Sequence, residues 1–196
     1  GGKGLIGSDV ADEDFITPFL SANTHDSLLF FTDKGRVFQT KAYEIPAASR
    51  TSKGRAIHNF LELQSEESVS AIVAYAGGKD KTAKDGSLYL IMTTKEGLIK
   101  KTALTDFTNI RRTGIIAIAL NKGDALRWVR LSTGKDEVIL ATREGRSIRF
   151  KEGQIRAMGR GAAGVRAIKL KKGDEVTGFD IIKTTAGKFL VVMENG

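Results

Sequence analysis

Four stretches of this chain share one pattern: an apolar run, a short polar turn ending in glycine, and a second apolar run. The first is Leu28-Leu29-Phe30-Phe31-Thr32-Asp33-Lys34-Gly35-Arg36-Val37-Phe38. It is echoed by Leu90-Ile91-Met92-Thr93-Thr94-Lys95-Glu96-Gly97-Leu98-Ile99-Lys100 and by Val138-Ile139-Leu140-Ala141-Thr142-Arg143-Glu144-Gly145-Arg146-Ser147-Ile148; a fourth copy, Phe189 to Gly196, stops at its glycine. β-Branched and aromatic residues flank a polar loop whose glycine can take the left-handed conformation of a bulged turn, so each copy predicts a β-hairpin.

A second element follows each completed hairpin glycine by 17 to 19 residues, where a basic loop ends at Gly54, Gly114 or Gly164 before another apolar run. These runs predict strands over Ile57 to Leu63, Ile115 to Leu120 and Val165 to Leu170. The last two lead into Gly123-Asp124 and Gly173-Asp174, where the first copy has Glu66-Glu67. Successive hairpin glycines lie 62, 48 and 51 residues apart, the spacing of propeller-like units of about four strands. The extra length of the first interval is the loop from Gly77 to Gly86. Helix is confined to a turn or two near Asp12 to Leu20 and Lys41 to Ala48, each limited by a proline.

The predicted architecture is therefore all-β, a repeat of roughly four-stranded blades in one domain. Residues 1–23 form a partial-blade remnant and connector; 24–85, 86–134 and 135–185 form three blades; 186–196 begin another. Such repeats bury their faces against neighbours, so this set should make an open arc.

Composition sharpens the functional reading. Among 196 residues, Lys and Arg number 31 against 23 Asp and Glu, a net charge of +8, which favours an anionic partner. There is no cysteine, which removes disulfides, thiolate metal sites and Cys nucleophiles and suits a reducing compartment. No apolar run approaches the roughly 18 residues of a membrane helix, and the amino-terminal residues lack the apolar stretch of a signal peptide. The expectation is a cytoplasmic protein without a membrane partner.

The positions of the charges matter more than their sum. With the copies aligned on the hairpin glycine, Arg36 matches Arg146 and Lys101 matches Arg149; strand alternation sends Arg149 away from the side holding Ile148 and Phe150. The loop before the second glycine carries Arg50, Lys53 and Arg55, then Arg111 and Arg112, then Arg156, Arg160 and Arg166. Singly, such charges solvate turns and keep edge strands from pairing. Recurring once per unit beside glycine, they can fork onto phosphate oxygens while the backbone approaches. No exposed recognition helix is evident, so DNA binding on this rim should be largely independent of sequence. A protein-interaction scaffold whose basic loops meet acidic partners is the alternative. An enzyme in its own right would need a clustered acid–base or nucleophile set, and none is visible.

Several residues also carry a family resemblance. Thr24 to Thr32, the following Gly35-Arg36-Val37-Phe38, and Lys41 to Arg50 closely resemble the C-terminal domain of DNA gyrase A, and Arg160 to Arg166 is the best later landmark. The resemblance implies a β-pinwheel, a propeller-like disc that wraps DNA around its perimeter and presents it to a cleavage core outside this chain, here truncated at both ends. Gly1-Gly2-Lys3-Gly4 resemble the end of the family's Gln-Arg-Arg-Gly-Gly-Lys-Gly box, which is tied to wrapping and negative supercoiling and adds Lys3 to the candidate DNA-binding residues. That remnant favours gyrase over the related topoisomerase IV. The partners implied by the resemblance are double-stranded DNA, the remainder of gyrase A, and gyrase B. It further implies a nucleoid-associated location and an ATP-dependent topoisomerase whose catalysis lies elsewhere.

Other signals are weaker. Gly159 to Gly164 fits G-x-G-x-x-G, but a strand rather than a helix is expected after it, and no Walker loop is present. His25-Asp26 has no surrounding ligand set. Tyr43, Tyr75, Tyr89 and Trp128 are assigned to packing. No cofactor or metal is expected.

Overall fold

The computed structural model describes residues 26–45, 60–75, 88–107, 110–185 and 188–189. Lys3, Arg50, Lys53, Arg55, the Asp12 to Leu20 stretch and the fourth copy beyond Phe189 lie outside them.

The hairpins form where the apolar pattern places them. β1 (Ser27–Thr32) pairs with β2 (Arg36–Lys41), β4 (Tyr89–Thr94) with β5 (Leu98–Ala103), and β8 (Glu137–Thr142) with β9 (Ser147–Lys151), all antiparallel. In each turn the glycine N–H donates to a threonine carbonyl, that of Thr32, Thr94 or Thr142, at 3.0–3.1 Å. The same threonine's hydroxyl accepts the N–H of the residue after the glycine, at 3.1–3.3 Å. One residue type thus closes the turn twice.

An inner strand completes the other side of each hairpin. β3 (Val69–Tyr75) pairs with β1, β7 (Leu126–Ser132) with β4, and β11 (Val176–Ile182) with β8. The Gly-Asp turns bind each inner strand to its hairpin turn: an Asp124 carboxylate oxygen accepts the Glu96 N–H at 3.0 Å, and one of Asp174 accepts the Glu144 N–H at 3.1 Å. In the first unit Glu66 takes the glycine position in the left-handed region, φ 61°, and the buried Glu67 follows.

The outer strands come from a later unit. β6 (Ile115–Ile116) pairs with β2, and β10 (Val165–Arg166) pairs with β5. Two sheets therefore run β3-β1-β2-β6 and β10-β5-β4-β7, while the third runs β11-β8-β9, and β12 (Thr184–Thr185) and β13 (Lys188–Phe189) make a two-stranded piece. These donated strands are shorter than the sequence predicts. Past the pairing, the N–H groups of Ala117 and Ile118 both converge on the Gly35 carbonyl, and those of Ala167 and Ile168 on the Gly97 carbonyl, which bends the chain off the ladder. The strand expected over Ile57 to Leu63 is absent from residues 60–63. Leu61 turns into the core there and its carbonyl accepts the Leu63 N–H at 2.9 Å. Short 3-10 turns over Ala42–Glu44, Leu104–Phe107 and Glu152–Gln154 follow the second hairpin strands; the sequence pointed only to the first.

Alternation along β1 and β4 divides the core. Leu29, Phe31 and Val37 pack with Leu90, Met92, Phe107 and Ile118 between the first two sheets, where the Phe31 and Phe107 rings meet edge to face, centroids 5.9 Å apart. Leu28, Phe30 and Phe38 fill the other face of the first sheet, and Ile91, Ile99, Val138 and Leu140 lie between the second and third. Each such side chain contributes about 2 kcal/mol of transfer free energy. β1 is buried at every position, whereas β9 alternates between exposed and half-buried. The fold class is all-β, a propeller-like pinwheel whose adjacent sheets are linked by exchanged outer strands.

Candidate nucleic-acid interface

The two described basic loops lie where the chain crosses from one sheet to the outer edge of the one before. Arg111 and Arg112 are exposed on the approach to β6, in a turn closed by the Gly114 N–H donating to the Arg111 carbonyl at 2.9 Å. The next approach runs along β5: Ala157 forms a parallel bridge with Lys101, and the Met158 N–H donates to the Lys101 carbonyl at 2.8 Å. Arg156 is exposed on this segment, and Arg160 is half-buried. Arg160 lines an open groove of about 750 Å³ together with Asp106, Ile115 and Ile116. Arg166 is exposed on β10 and shares a second groove, about 340 Å³, with Arg149. The G-x-G-x-x-G run leads into β10, a strand.

The candidate cations separate into two groups. The side chains of Arg111, Arg112, Arg156 and Arg166 have no hydrogen bond or ion pair among the described residues. Of the other described candidates, Arg36, Arg146 and Arg149 bond within the fold. Arg36 pairs with Glu67 at 2.9 Å, lies 4.9 Å over the Phe38 ring and donates to the Thr113 carbonyl; it thereby fastens the loop that carries Arg111 and Arg112. Arg146 donates to the Lys169 carbonyl at 2.6 Å, and Arg149 to Glu137 at 2.6 Å, although both remain exposed.

Lys101 corrects the alternation argument. It is 6% exposed, its ammonium donates to the Glu152 carbonyl at 3.1 Å, and it lies 5.0 Å over the Tyr89 ring. Position alone sends Lys101 and Arg149 to the same side. Lys101 is covered because the third unit packs on that side of β5, whereas no described element covers Arg149. Its partner Glu152 is fully buried, which pushes that carboxyl above its usual range despite bonds from the Asp136 N–H and the Ser132 hydroxyl and the nearby Lys101 charge.

Sequence reasoning overlooked Lys100. It is 0% exposed and donates to the carbonyls of Ala117, Arg160 and Ala162 at 2.6, 2.7 and 3.2 Å. Burial lowers its pKa from 10.5 to about 8, with Arg160 acting the same way and Asp106 opposing. The signal was available: three residues past the hairpin glycine the copies read Phe38, Lys100 and Ile148, so a lysine occupies an otherwise apolar position.

The profile of the family described as DNA gyrase C-terminal domain, beta-propeller, matches residues 26–74, 88–133 and 136–183. This chain belongs to that family. It is 42% identical over 197 residues to the gyrase A protein of Staphylococcus epidermidis and 41% identical to that of Staphylococcus aureus, covering all of this chain and 22% of each relative. The chain thus spans about a fifth of the length of these gyrase A proteins. Among solved structures, a C-terminal domain of DNA topoisomerase IV superposes with a TM-score of 0.72 at 28% identity, over 83% of this chain and 49% of that one. A DNA gyrase A C-terminal domain superposes with a TM-score of 0.64 at 29% identity, over 83% and 50%. The fold is common to both enzymes' domains, and the sequence sides with gyrase A. No helix among the described residues is long and apolar enough to cross a membrane.

Proposed function

We propose that this gyrase-family domain binds double-stranded DNA along its outer strand edges, holds it bent without reading its sequence, and so supports negative supercoiling by a type II topoisomerase. The observation that carries this reading is the exposure of Arg111, Arg112 and Arg156 on the approaches to donated strands and of Arg166 on β10 itself, without competing carboxylate partners among the described residues. Arg36, Arg146, Arg149 and Arg160 border the same loops and edges, Lys3, Arg50, Lys53 and Arg55 extend the candidate set, and Lys101 acts on the fold alone. Bending 20–30 base pairs through 40–90° costs on the order of 1–6 kcal/mol, so several phosphate contacts must act together. DNA cleavage and ATP use belong in this reading to the remainder of gyrase A and to gyrase B, in a cytoplasmic, nucleoid-associated holoenzyme.

Binding to duplexes of increasing length across a salt series tests the proposal. Affinity is expected to grow with length, with a log–log salt slope of magnitude about 4 or more, and neutralising Arg111 and Arg112 together should lower it by about 2. Indifference to length with a slope of magnitude under about 2 would overturn it, and would favour the acidic-partner scaffold.

A further inference from the structure

Each crossing must be fastened to the sheet that receives it, and the two described crossings are fastened differently. At the first, the loop rests on an aromatic ring: a Cβ placed on Gly114 would lie 2.8 Å from the buried Phe38 ring. At the second, the equivalent residue is Lys100, and a Cβ placed on Gly164 would lie 2.5 Å from the Ile99 carbonyl oxygen and 3.1 Å from the Lys100 Cβ. Space there is just as tight, but no ring covers the glycine, and the Lys100 ammonium bonds the loop instead.

The chemistry of the second loop explains the change. Gly159-Arg160-Gly161-Ala162 offers no large apolar side chain to set against a ring, and a Cβ on Gly159 or Gly161 would meet nothing within 4 Å. What the loop offers is carbonyl oxygen. The Lys100 ammonium has three N–H donors; two go to the carbonyls of Arg160 and Ala162, either side of Gly161, and the third to Ala117 on the segment following β6. The Ala119 N–H reaches the same Ala162 carbonyl at 3.1 Å. The loop is thereby tied at these two carbonyls to both the receiving strand and the previous crossing. A buried cation is costly unless bonded, and here all three donors are used.

We propose that Lys100 is a positioning residue for the basic loop: through the backbone carbonyls of Arg160 and Ala162 it fixes where the Arg160 guanidinium stands at the outer edge. Its functional half rests on the DNA-binding reading above; its structural half does not.

The test compares Lys100→Met, Lys100→Arg and Arg160→Gln in this chain. Lys100→Met is expected to speed amide exchange at Ala162 and Ala119, whose N–H groups are bonded at this loop, about tenfold or more, the scale of a lost charged hydrogen bond, while amides of Leu90 to Thr93 keep their protection. Duplex affinity should fall about five- to tenfold, as in Arg160→Gln, the double variant should be no weaker than either single one, and Lys100→Arg should restore much of both readouts. Unchanged loop exchange in Lys100→Met overturns the proposal, and so does an additive double variant. Should Lys100→Met fail to fold, Lys100→Gln is expected to show a partial loss, and wild-type behaviour in it is equally fatal. If the unaltered chain binds no duplex, the DNA reading fails, and the exchange measurement still decides the role of Lys100.

Discussion

The guanidinium of Arg36 and the carboxylate of Glu67 meet at 2.9 Å across 31 positions of chain, with the Glu67 side chain fully buried. The other oxygen of Glu67 accepts the Thr32 hydroxyl at 2.8 Å, and the oxygen facing Arg36 also takes the Gln64 N–H at 2.9 Å. One carboxylate therefore joins the hairpin turn, the segment before β3 and, through Arg36, the Thr113 carbonyl of the first crossing.

Removing Glu67 leaves a half-buried cation and two polar groups without partners. Glu67→Ala is expected to destabilise the domain by about 3 kcal/mol, the scale of a broken buried pair. Arg36→Met strands the buried Glu67 carboxylate, but that group keeps the Thr32 hydroxyl and the Gln64 N–H and the apolar cover over Phe38 stays, so its cost should be smaller. Urea unfolding of both variants checks the order; a loss under about 1 kcal/mol for Glu67→Ala would contradict it.

Gly35 and Gly145 occupy the same turn position, with φ of 79° and 83°, yet their surroundings differ. A Cβ on Gly35 would lie 2.6 Å from the Ile118 carbonyl oxygen, whereas one on Gly145 would meet nothing within 4 Å. Gly145→Ala is expected to cost about 1 kcal/mol for the left-handed conformation alone. Gly35→Ala must also push the donated segment away, so its loss should be larger by about 2 kcal/mol or more. Equal midpoints in denaturant for the two variants would refute the difference.

Lys100 gives a pH signature. Its folded pKa is lowered from 10.5 to about 8, so the folded state releases its proton near pH 8 while the unfolded chain holds it to about 10.5. Between those values the unfolded state binds more protons, and stability contributed by this group rises with pH; below pH 8 both states are protonated and the burial cost stands in full. Arg160 and Asp106 are the charged groups acting on it. The unfolding free energy of the unaltered chain, minus that of Lys100→Met, is expected to be flat below about pH 7.5 and to climb from about 8 to 10.5. A flat difference throughout would show that the ammonium is not held as described.

The hairpins were legible because two apolar runs flanking a short polar turn that ends in glycine are a local signal, and the structure puts β1/β2, β4/β5 and β8/β9 on it. The donated strands were legible only in part: the apolar runs from Ile115 and Val165 announce strands, but not that each pairs over only two residues, nor that its partner lies far back in the chain. Arg111, Arg112, Arg156 and Arg166 were legible as surface cations because glycine-rich loops seldom bury arginine. Lys101 was not, since its burial is set by Glu152 and Tyr89 arriving from other elements.

The repeat, the all-β class, the turns and the family follow from the amino-acid order without coordinates, since each rests on residues close together in the chain. Which strand completes which sheet, and which cations stay free for a ligand, depended on packing between distant segments. A side chain's exposure and pairing are set by what lies against it, and in this fold the outer edge of a hairpin is completed by residues from the following unit.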